Sequence, residues 1–166
     1  MRNEEKILSL ALSMLMVLAM LPATAFAATS ISDNIDEPAL EKAAIAALGK
    51  EDEPDYVLTD EDAATIESLT VTGLKYGSLR GLEYFTGLKT LTVTDSKVQD
   101  LSLLQGLSSL ETVDLSNNNI EDLSGLSGLT NITSLNLSGN KIQDLSKIAN
   151  LTSLTSLNLS NNIIED

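Results

Sequence analysis

A 22-residue repeat is the feature that most constrains how this chain can fold. The stretch from Leu110 to Thr130 reads LETVDLSNNNIEDLSGLSGLT, and the stretch from Ile132 to Thr152 reads ITSLNLSGNKIQDLSKIANLT. The same frame begins at five points, always 22 residues apart: Ile66, Leu88, Leu110, Ile132 and Leu154. An unbroken period without insertions predicts a stack of similar coils, in which each coil packs on its neighbours.

Every coil carries apolar residues at the same places. With Leu110 counted as position 1, positions 1, 4, 6, 11, 14, 17 and 20 are apolar in every coil that contains them. Positions 4 to 6 alternate between apolar, polar and apolar, as in Val113, Asp114 and Leu115. This alternation predicts a short strand with one face in the core, and stacking of the coils then predicts a parallel sheet.

A column of asparagines occupies position 9, where the chain turns inward after each strand. Its members are Asn118, Asn140 and Asn162, whereas the first two coils have Leu74 and Ser96 there. A buried amide can both donate to and accept from backbone groups that lack partners in the sheet. We therefore interpret the asparagine ladder as structural rather than ligand-binding, and we expect the first two coils to be less regular.

A column of aspartates occupies position 13, directly before a short apolar-periodic run. Its members are Asp100, Asp122, Asp144 and Asp166. Aspartate in this place is typical of an N-cap, so each side chain is predicted to begin a single 3₁₀ turn on the outer face. The alternative is a metal ladder, which is less favoured because the column supplies one ligand type and its like charges repel.

The exposed strand positions 3, 5 and 7 form the candidate partner surface. Small hydroxyl and amide side chains dominate it: Thr70, Thr72, Thr90, Thr92, Thr94, Thr112, Asp114, Ser116, Ser134, Asn136, Ser138, Ser156, Asn158 and Ser160. Tryptophan, tyrosine and arginine, which dominate binding hot spots, are absent from this set. Tyr76 and Phe85 fall on core positions 11 and 20, so Tyr84 is the one aromatic side chain predicted to be exposed.

Composition excludes much enzymology and one class of partner. Cysteine and histidine are both absent, so disulfides, thiolate or imidazole metal sites and Ser-His or Cys-His relays cannot form. The net charge is −14, with eleven acids and two lysines between residues 28 and 65. Such an acidic chain repels phosphate backbones, which argues against nucleic acid as a partner. We predict no catalytic residues, no metal site and no cofactor.

The first 27 residues predict a cleaved secretory signal. Arg2 and Lys6 precede an apolar run from residue 7 to residue 21, and small residues at Ala25 and Ala27 mark a cleavage site after Ala27. The alternative is an uncleaved anchor, which needs roughly 20 apolar residues, and Pro22 interrupts the run here. We therefore expect a secreted or cell-surface protein without a membrane span in the mature chain.

Residues 28–65 predict a small helical unit that caps the first coil. Asp36 or Glu37 near the N-cap, Pro38 in the first turn and Gly49 at the end bound one helix. Thr59 offers a second N-cap, followed by acidic residues in the first turn of a short helix. The acidic cluster around residues 51–62 suggests calcium as an alternative, but it lacks the spacing of a calcium-binding loop.

The repeat resembles the leucine-rich repeat family, specifically the 22-residue internalin-like type of bacterial surface proteins. The resemblance covers residues 66–166, and PALEKAAIAALGK followed by DEDAATIESL is similar to the helical cap that precedes such repeats. It implies an α/β repeat fold: a right-handed, curved solenoid with short parallel strands on the concave side and 3₁₀ turns outside. It also implies display outside the cell and binding of a protein or another surface macromolecule.

Three uses remain open from the sequence. The first is a non-enzymatic recognition scaffold, the second is a passive structural spacer, and the third is the targeting module of a larger surface protein or hydrolase. The sequence ends at position 13 of the fifth coil, where Leu154, Leu157, Leu159 and Ile164 would face solvent on one side. We therefore expect the natural protein to continue, with self-association through the uncapped coil as an alternative.

Overall fold

The computed structural model describes residues 30–164. The predicted signal segment and Asp166 lie outside the described residues, so the predictions made for them stay predictions. Two helices precede the sheet: α1 spans Pro38–Ala47 and α2 spans Asp60–Thr65. Gly49 adopts a left-handed φ of 67° just after α1, a conformation that glycine reaches without steric strain. No helix among residues 30–164 is long and apolar enough to cross a membrane.

The N-terminus of α2 is held by a reciprocal capping arrangement. The hydroxyl of Thr59 accepts a hydrogen bond from the backbone N–H of Asp62 at 3.1 Å. The Asp62 carboxylate in turn accepts from the backbone N–H of Thr59 at 3.2 Å. Both residues thereby satisfy backbone donors that the first turn of a helix leaves without partners.

Five short strands form one parallel sheet in chain order. They are β1 (Ser68–Thr72), β2 (Thr90–Thr94), β3 (Thr112–Asp114), β4 (Ser134–Asn136) and β5 (Ser156–Asn158). Each residue pairs with the residue 22 positions later, as Leu69 does with Leu91 and Val113 with Leu135. The sequence prediction of stacked, in-register parallel strands is confirmed.

The outer side of the stack consists of short 3₁₀ turns. They span Leu82–Tyr84, Ser102–Leu104, Ser124–Leu126 and Ser146–Ile148, one in each of the first four coils. The apolar repeat positions fill the space between these turns and the sheet; for example, Leu91, Leu104 and Leu107 are fully buried. This arrangement confirms the predicted repeat fold, in which each coil buries its apolar side chains against its neighbours.

The N-terminal segment, residues 30–65, packs against the first coil. Leu40 and Ala44 on α1 are fully buried in the same core as the strands. Ile31 is also fully buried, and its backbone N–H donates to the carbonyl of Leu58 at 3.0 Å. Burial of a large aliphatic side chain stabilises a fold by about 1.5–3 kcal/mol, so this segment and the first coil stabilise one another.

The prediction for the tyrosines of the first coil is wrong. Tyr76 was expected in the core, but its side chain is 63% exposed, and Tyr84, which was expected to be exposed, is half-buried against the core. The physical reason is a contact from outside the repeat: the backbone N–H of Tyr76 donates to the buried carboxylate of Glu37. The Tyr84 hydroxyl accepts a hydrogen bond from the Asn34 side chain at 3.3 Å.

The fifth coil has a more exposed apolar side than the coils before it. Leu157 in β5 is 44% exposed, whereas Leu135 at the same position in β4 is 1% exposed. Ile163 and Ile164 are exposed as well. These side chains contact the fourth coil on one side only.

Candidate partner-binding surface

The structure brings the predicted partner-surface residues together on one face of the sheet. We call this set the strand face: Thr70, Thr72, Thr90, Thr92, Thr94, Thr112, Asp114, Ser116, Ser134, Asn136, Ser138, Ser156, Asn158 and Ser160. All of them are exposed or half-buried, and in β1 and β2 they alternate with buried apolar residues. The strand face therefore offers small hydroxyl and amide groups, with one carboxylate at Asp114.

The central polar groups of the strand face hydrogen-bond to one another. The Asp114 carboxylate accepts from the Asn136 side-chain amide at 2.9 Å and from the backbone N–H of Ser116 at 2.9 Å. One coil later, the side-chain oxygen of Asn136 accepts from the hydroxyl and the backbone N–H of Ser138. These groups have partners before any ligand arrives, so a ligand would gain little by bonding to them.

Ionisation of Asp114 reflects this network. Partial burial opposes the charged form, but hydrogen bonds from the side chain and backbone of Ser116 and from the side chain of Asn136 outweigh it. The net effect lowers the pKa of Asp114 below its ordinary value. Asp114 therefore carries its negative charge on the strand face throughout the physiological pH range.

The asparagines at position 9 each join two coils. The side-chain oxygen of Asn118 accepts from the backbone N–H of Val98 at 3.1 Å, and its amide donates to the carbonyls of Val93 and Leu115. Asn140 makes the same three kinds of contact one coil later, and Asn162 does so in the fifth coil. Asn118 and Asn140 are buried, and their amides are occupied by backbone groups.

The aspartates at position 13 bond to the turns that follow them. Asp100, Asp122 and Asp144 each accept from the backbone N–H two residues later, at 2.7–2.8 Å. The side-chain and backbone hydrogen bonds of Ser124 lower the pKa of Asp122, and the backbone and side-chain bonds of Ser146 lower the pKa of Asp144. The carboxylates thus face the start of their own 3₁₀ turn, and residues 30–164 contain no cluster of three or more acidic side chains suited to a metal ion.

A left-handed residue recurs at position 8, and sequence reasoning missed it. The residues at this position are Gly73, Asp95, Asn117, Gly139 and Asn161, with φ values between 51° and 69°. In the first four coils their backbone N–H groups donate to the next coil, as Asn117 does to the carbonyl of Ser138 at 2.8 Å. The available signal was the restriction of position 8 to Gly, Asp and Asn, the residues that best tolerate this conformation.

Glu37 is a second residue that sequence reasoning missed. It stands at the N-cap position of α1 but makes no side-chain capping bond there. Its side chain is 1% exposed, and its carboxylate accepts hydrogen bonds from the backbone N–H groups of Lys75, Tyr76 and Ser78. Glu37 thereby ties the N-terminal segment to the first coil, and its position in the sequence offered only the capping interpretation.

Tyr76 is presented on the segment that Glu37 holds. We call residues 73–78 the Tyr76 loop. The ammonium group of Lys75 lies 4.9 Å from the centre of the Tyr76 ring, within the range of a cation–π contact. Unlike the strand face, this loop offers a large aromatic side chain that remains mostly exposed.

Stacked parallel strands, a ladder of buried asparagines and outer 3₁₀ turns define the leucine-rich repeat class of protein. The family profile described as "Leucine rich repeat" matches residues 86–142, and that described as "Leucine Rich repeats (2 copies)" matches residues 130–166. These matches show that residues 86–166 are leucine-rich repeats, and the likeness to the first internalin structure described next makes the chain an internalin-like leucine-rich repeat protein.

Two solved structures similar to this chain are internalins from Listeria monocytogenes. An internalin (inlF) shares 29% sequence identity over 86% of this chain and 48% of its own, with a TM-score of 0.64. An internalin C2 (inlC2) shares 26% identity over 84% of this chain and 80% of its own, with a TM-score of 0.45. The chain thus spans about half the length of the first internalin. Among curated protein sequences, no match was found.

Proposed function

We propose that this chain is a secreted or surface-displayed, non-enzymatic scaffold that binds a protein partner. Leucine-rich repeats indicate a protein-binding scaffold, and the observation that carries the proposal is the in-register stack of five strands with its polar strand face. Such a stack holds side chains from successive coils about 4.8 Å apart on a rigid support. An extended, pre-organised surface of this kind suits recognition of another macromolecule.

Secretion is supported by the amino-terminal sequence. A basic start, an apolar run of fifteen residues and small residues at positions 25 and 27 have the order of a secretory signal. Expression of the full chain in a bacterial host, followed by amino-terminal sequencing of the exported product, tests this. We expect a mature terminus at Ala28; retention of the whole product inside the cell would contradict the secretion part of the proposal.

Binding is tested with the folded mature chain, beginning at Ala28. We expect saturable binding of the fluorescently labelled chain to intact cell surfaces, and loss of that binding after the surfaces are treated with protease. The matched control is the same chain with Asn140→Ala, which is expected to loosen the stack and thereby to weaken this binding. Sedimentation of the chain alone separates partner binding from self-association through the exposed Leu157 and Ile163.

A passive spacer is the second candidate, and one observation favours it. The polar groups of Asp114, Asn136 and Ser138 on the strand face already bond to one another, so this surface gains little from new hydrogen bonds. A spacer predicts that no saturable binding occurs at any accessible concentration. As a spacer the chain would present further parts of a longer surface protein or hydrolase.

A further inference from the structure

The first coil departs from the repeat at one core position. Val98, Ile120 and Ile142 occupy position 11 in the next three coils, and all three are fully buried. Tyr76 occupies the same position in the first coil and is 63% exposed. The first coil therefore forgoes the burial of its position-11 side chain and presents it to solvent instead.

The Tyr76 loop is held in this conformation by contacts on both sides. From the N-terminal segment, the buried carboxylate of Glu37 accepts three of its backbone N–H groups. From the second coil, the Ser96 hydroxyl accepts from the N–H of Leu74 at 2.9 Å. Gly77, with φ 70°, packs so closely that an added Cβ would collide with the backbone carbonyl of Lys97. The loop is rigid in the sense that it has little room to rearrange.

A rigidly held, exposed tyrosine has the properties of a binding hot spot. Tyrosine is enriched among the few residues that dominate the energetics of protein interfaces. Binding through a segment that is already ordered avoids much of the entropy that is lost when a flexible loop becomes fixed. The strand face offers no side chain of this kind, because its members are hydroxyls, amides and one carboxylate.

The charge around the loop indicates the kind of partner. Lys75 and Lys97 are both exposed at position 10 of adjacent coils, and among residues 30–164 neither forms an ion pair. Of the nearby acidic residues, Asp36 pairs with Arg80, and the Asp95 carboxylate accepts from the Asn117 amide, which orients this carboxylate without cancelling its charge. On a chain of net charge −14, Lys75 beside the exposed ring and Lys97 at the same position of the next coil offer two ammonium groups to negative groups of a partner.

We infer that the Tyr76 loop, together with Lys97, is a docking site for a protein segment that carries carboxylates beside an apolar residue. This inference rests on the proposed function and names the contact site within it. A long anionic polymer is a poorer fit, because Asn119 interrupts the lysines at position 10 and the acidic chain repels an extended polyanion. In the bound state the Tyr76 ring packs against the apolar residue of the partner segment, while the lysines pair with its carboxylates.

A random peptide library displayed on phage and selected on the mature chain provides the probe. We expect the selected peptides to be enriched in aspartate and glutamate next to an apolar residue. Tyr76→Ala should weaken their binding at least about tenfold, and Lys75→Glu or Lys97→Glu by roughly threefold to tenfold. The charge-matched control is Lys141→Glu, at the same repeat position but roughly 14 Å from Lys75 along the stack, which should have no effect.

The outcomes separate the inference from the proposed function. Peptides that bind wild type and Tyr76→Ala equally, but lose affinity with Thr92→Arg on the strand face, would overturn the inference and leave the binding scaffold intact. Binding of dextran sulfate that depends on both lysines but not on Tyr76 would assign the site to an anionic polymer and also overturn it. Because the Tyr76 ring is exposed, thermal unfolding of Tyr76→Ala should match that of wild type.

Discussion

Asn118 and Asn140 lie one coil apart and donate to the same acceptor, the carbonyl oxygen of Leu115. The two side-chain amides approach this oxygen at 3.0 Å and 2.9 Å. Each asparagine also accepts from a backbone N–H of the preceding coil, that of Val98 for Asn118 and that of Ile120 for Asn140. Adjacent coils are therefore joined through shared backbone groups in the interior of the stack, as well as through the sheet.

Removal of one ladder amide is predicted to destabilise the stack. Asn140→Ala leaves the buried N–H of Ile120 without its acceptor, so we expect the free energy of unfolding to fall by about 2–3 kcal/mol. Urea denaturation followed by circular dichroism measures this. Asn131→Ala is the control, because that amide bonds a carbonyl on the surface and its loss should change stability by at most about 0.5 kcal/mol. Equal effects of the two substitutions would contradict a structural role for the ladder.

Substitution of Glu37 is predicted to loosen the junction between the N-terminal segment and the first coil. Glu37→Ala removes the acceptor of three backbone N–H groups, so we expect a loss of about 2–3 kcal/mol, and Glu37→Gln should lose less. Hydrogen exchange of the amides of Lys75, Tyr76 and Ser78 should accelerate. Glu51→Gln, in the exposed linker, serves as the control. Unchanged exchange at all three amides in Glu37→Ala would refute the assigned contacts.

Two glycines at position 8 allow backbone strain to be separated from steric contact. An added Cβ at Gly73 has open space around it, so Gly73→Ala should cost only the left-handed strain, about 1 kcal/mol. At Gly139 the same Cβ would collide with the oxygen at the end of the exposed Asn117 side chain, which can turn aside, so Gly139→Ala should cost slightly more, about 1.5 kcal/mol.

Gly106→Ala provides the reference for this pair. Gly106 has open space around it and is absent from the left-handed positions of residues 30–164, so alanine there should be neutral or slightly stabilising. Thermal unfolding of the three variants measures the order of their stabilities. A Gly73→Ala variant as stable as Gly106→Ala would show that position 8 does not require a left-handed residue.

The hydroxyl of Tyr56 is predicted to ionise at a higher pH in the folded protein than in an unfolded chain. A hydrogen bond to the Asp62 carboxylate, together with burial and the negative charges of Asp62 and Glu53, raises the pKa of Tyr56 to about 12. The ordinary value in an unfolded chain is about 10. The protonated phenol is thus favoured by folding, and its stabilising contribution is complete below about pH 10 and is lost between about pH 10 and pH 12.

Tyr56→Phe tests this pH dependence in two ways. In an alkaline titration followed by tyrosinate absorbance, the substitution should remove the phase that occurs at the highest pH. The difference in unfolding free energy between wild type and Tyr56→Phe should also shrink as pH rises through that window. A titration whose latest phase persists in Tyr56→Phe would contradict the assignment.

The repeat architecture could be predicted from sequence because it depends on a pattern that the core enforces everywhere. A shift of one residue within a strand is not tolerated, since it would turn a side chain such as Val113 from the core to the strand face. The same constraint acts in all five coils, so the 22-residue period predicts the parallel sheet, and the aspartates at position 13 predict the 3₁₀ turns.

The departures in the first coil could not be predicted in the same way. Position 11 of this coil is apolar in character, and the pattern alone gave no reason for Tyr76 to leave the core. The reason lies 39 residues earlier, where Glu37 supplies an acceptor for the backbone of the Tyr76 loop. A contact between segments with different sequence patterns leaves no periodic signal in the sequence. The left-handed residues at position 8 do leave a signal, because only Gly, Asp and Asn occur there.

Site-specific photo-crosslinking on intact cell surfaces tests most directly whether this chain is a protein-binding scaffold. The photoreactive residue p-benzoylphenylalanine replaces Tyr76 in the loop, Thr92 on the strand face or, as the control, Lys147 on the outer turns. Our account predicts a discrete, light-dependent protein adduct at position 76, with at most a weaker one at position 92 and none at position 147. The absence of a discrete protein adduct from both position 76 and position 92 would contradict it.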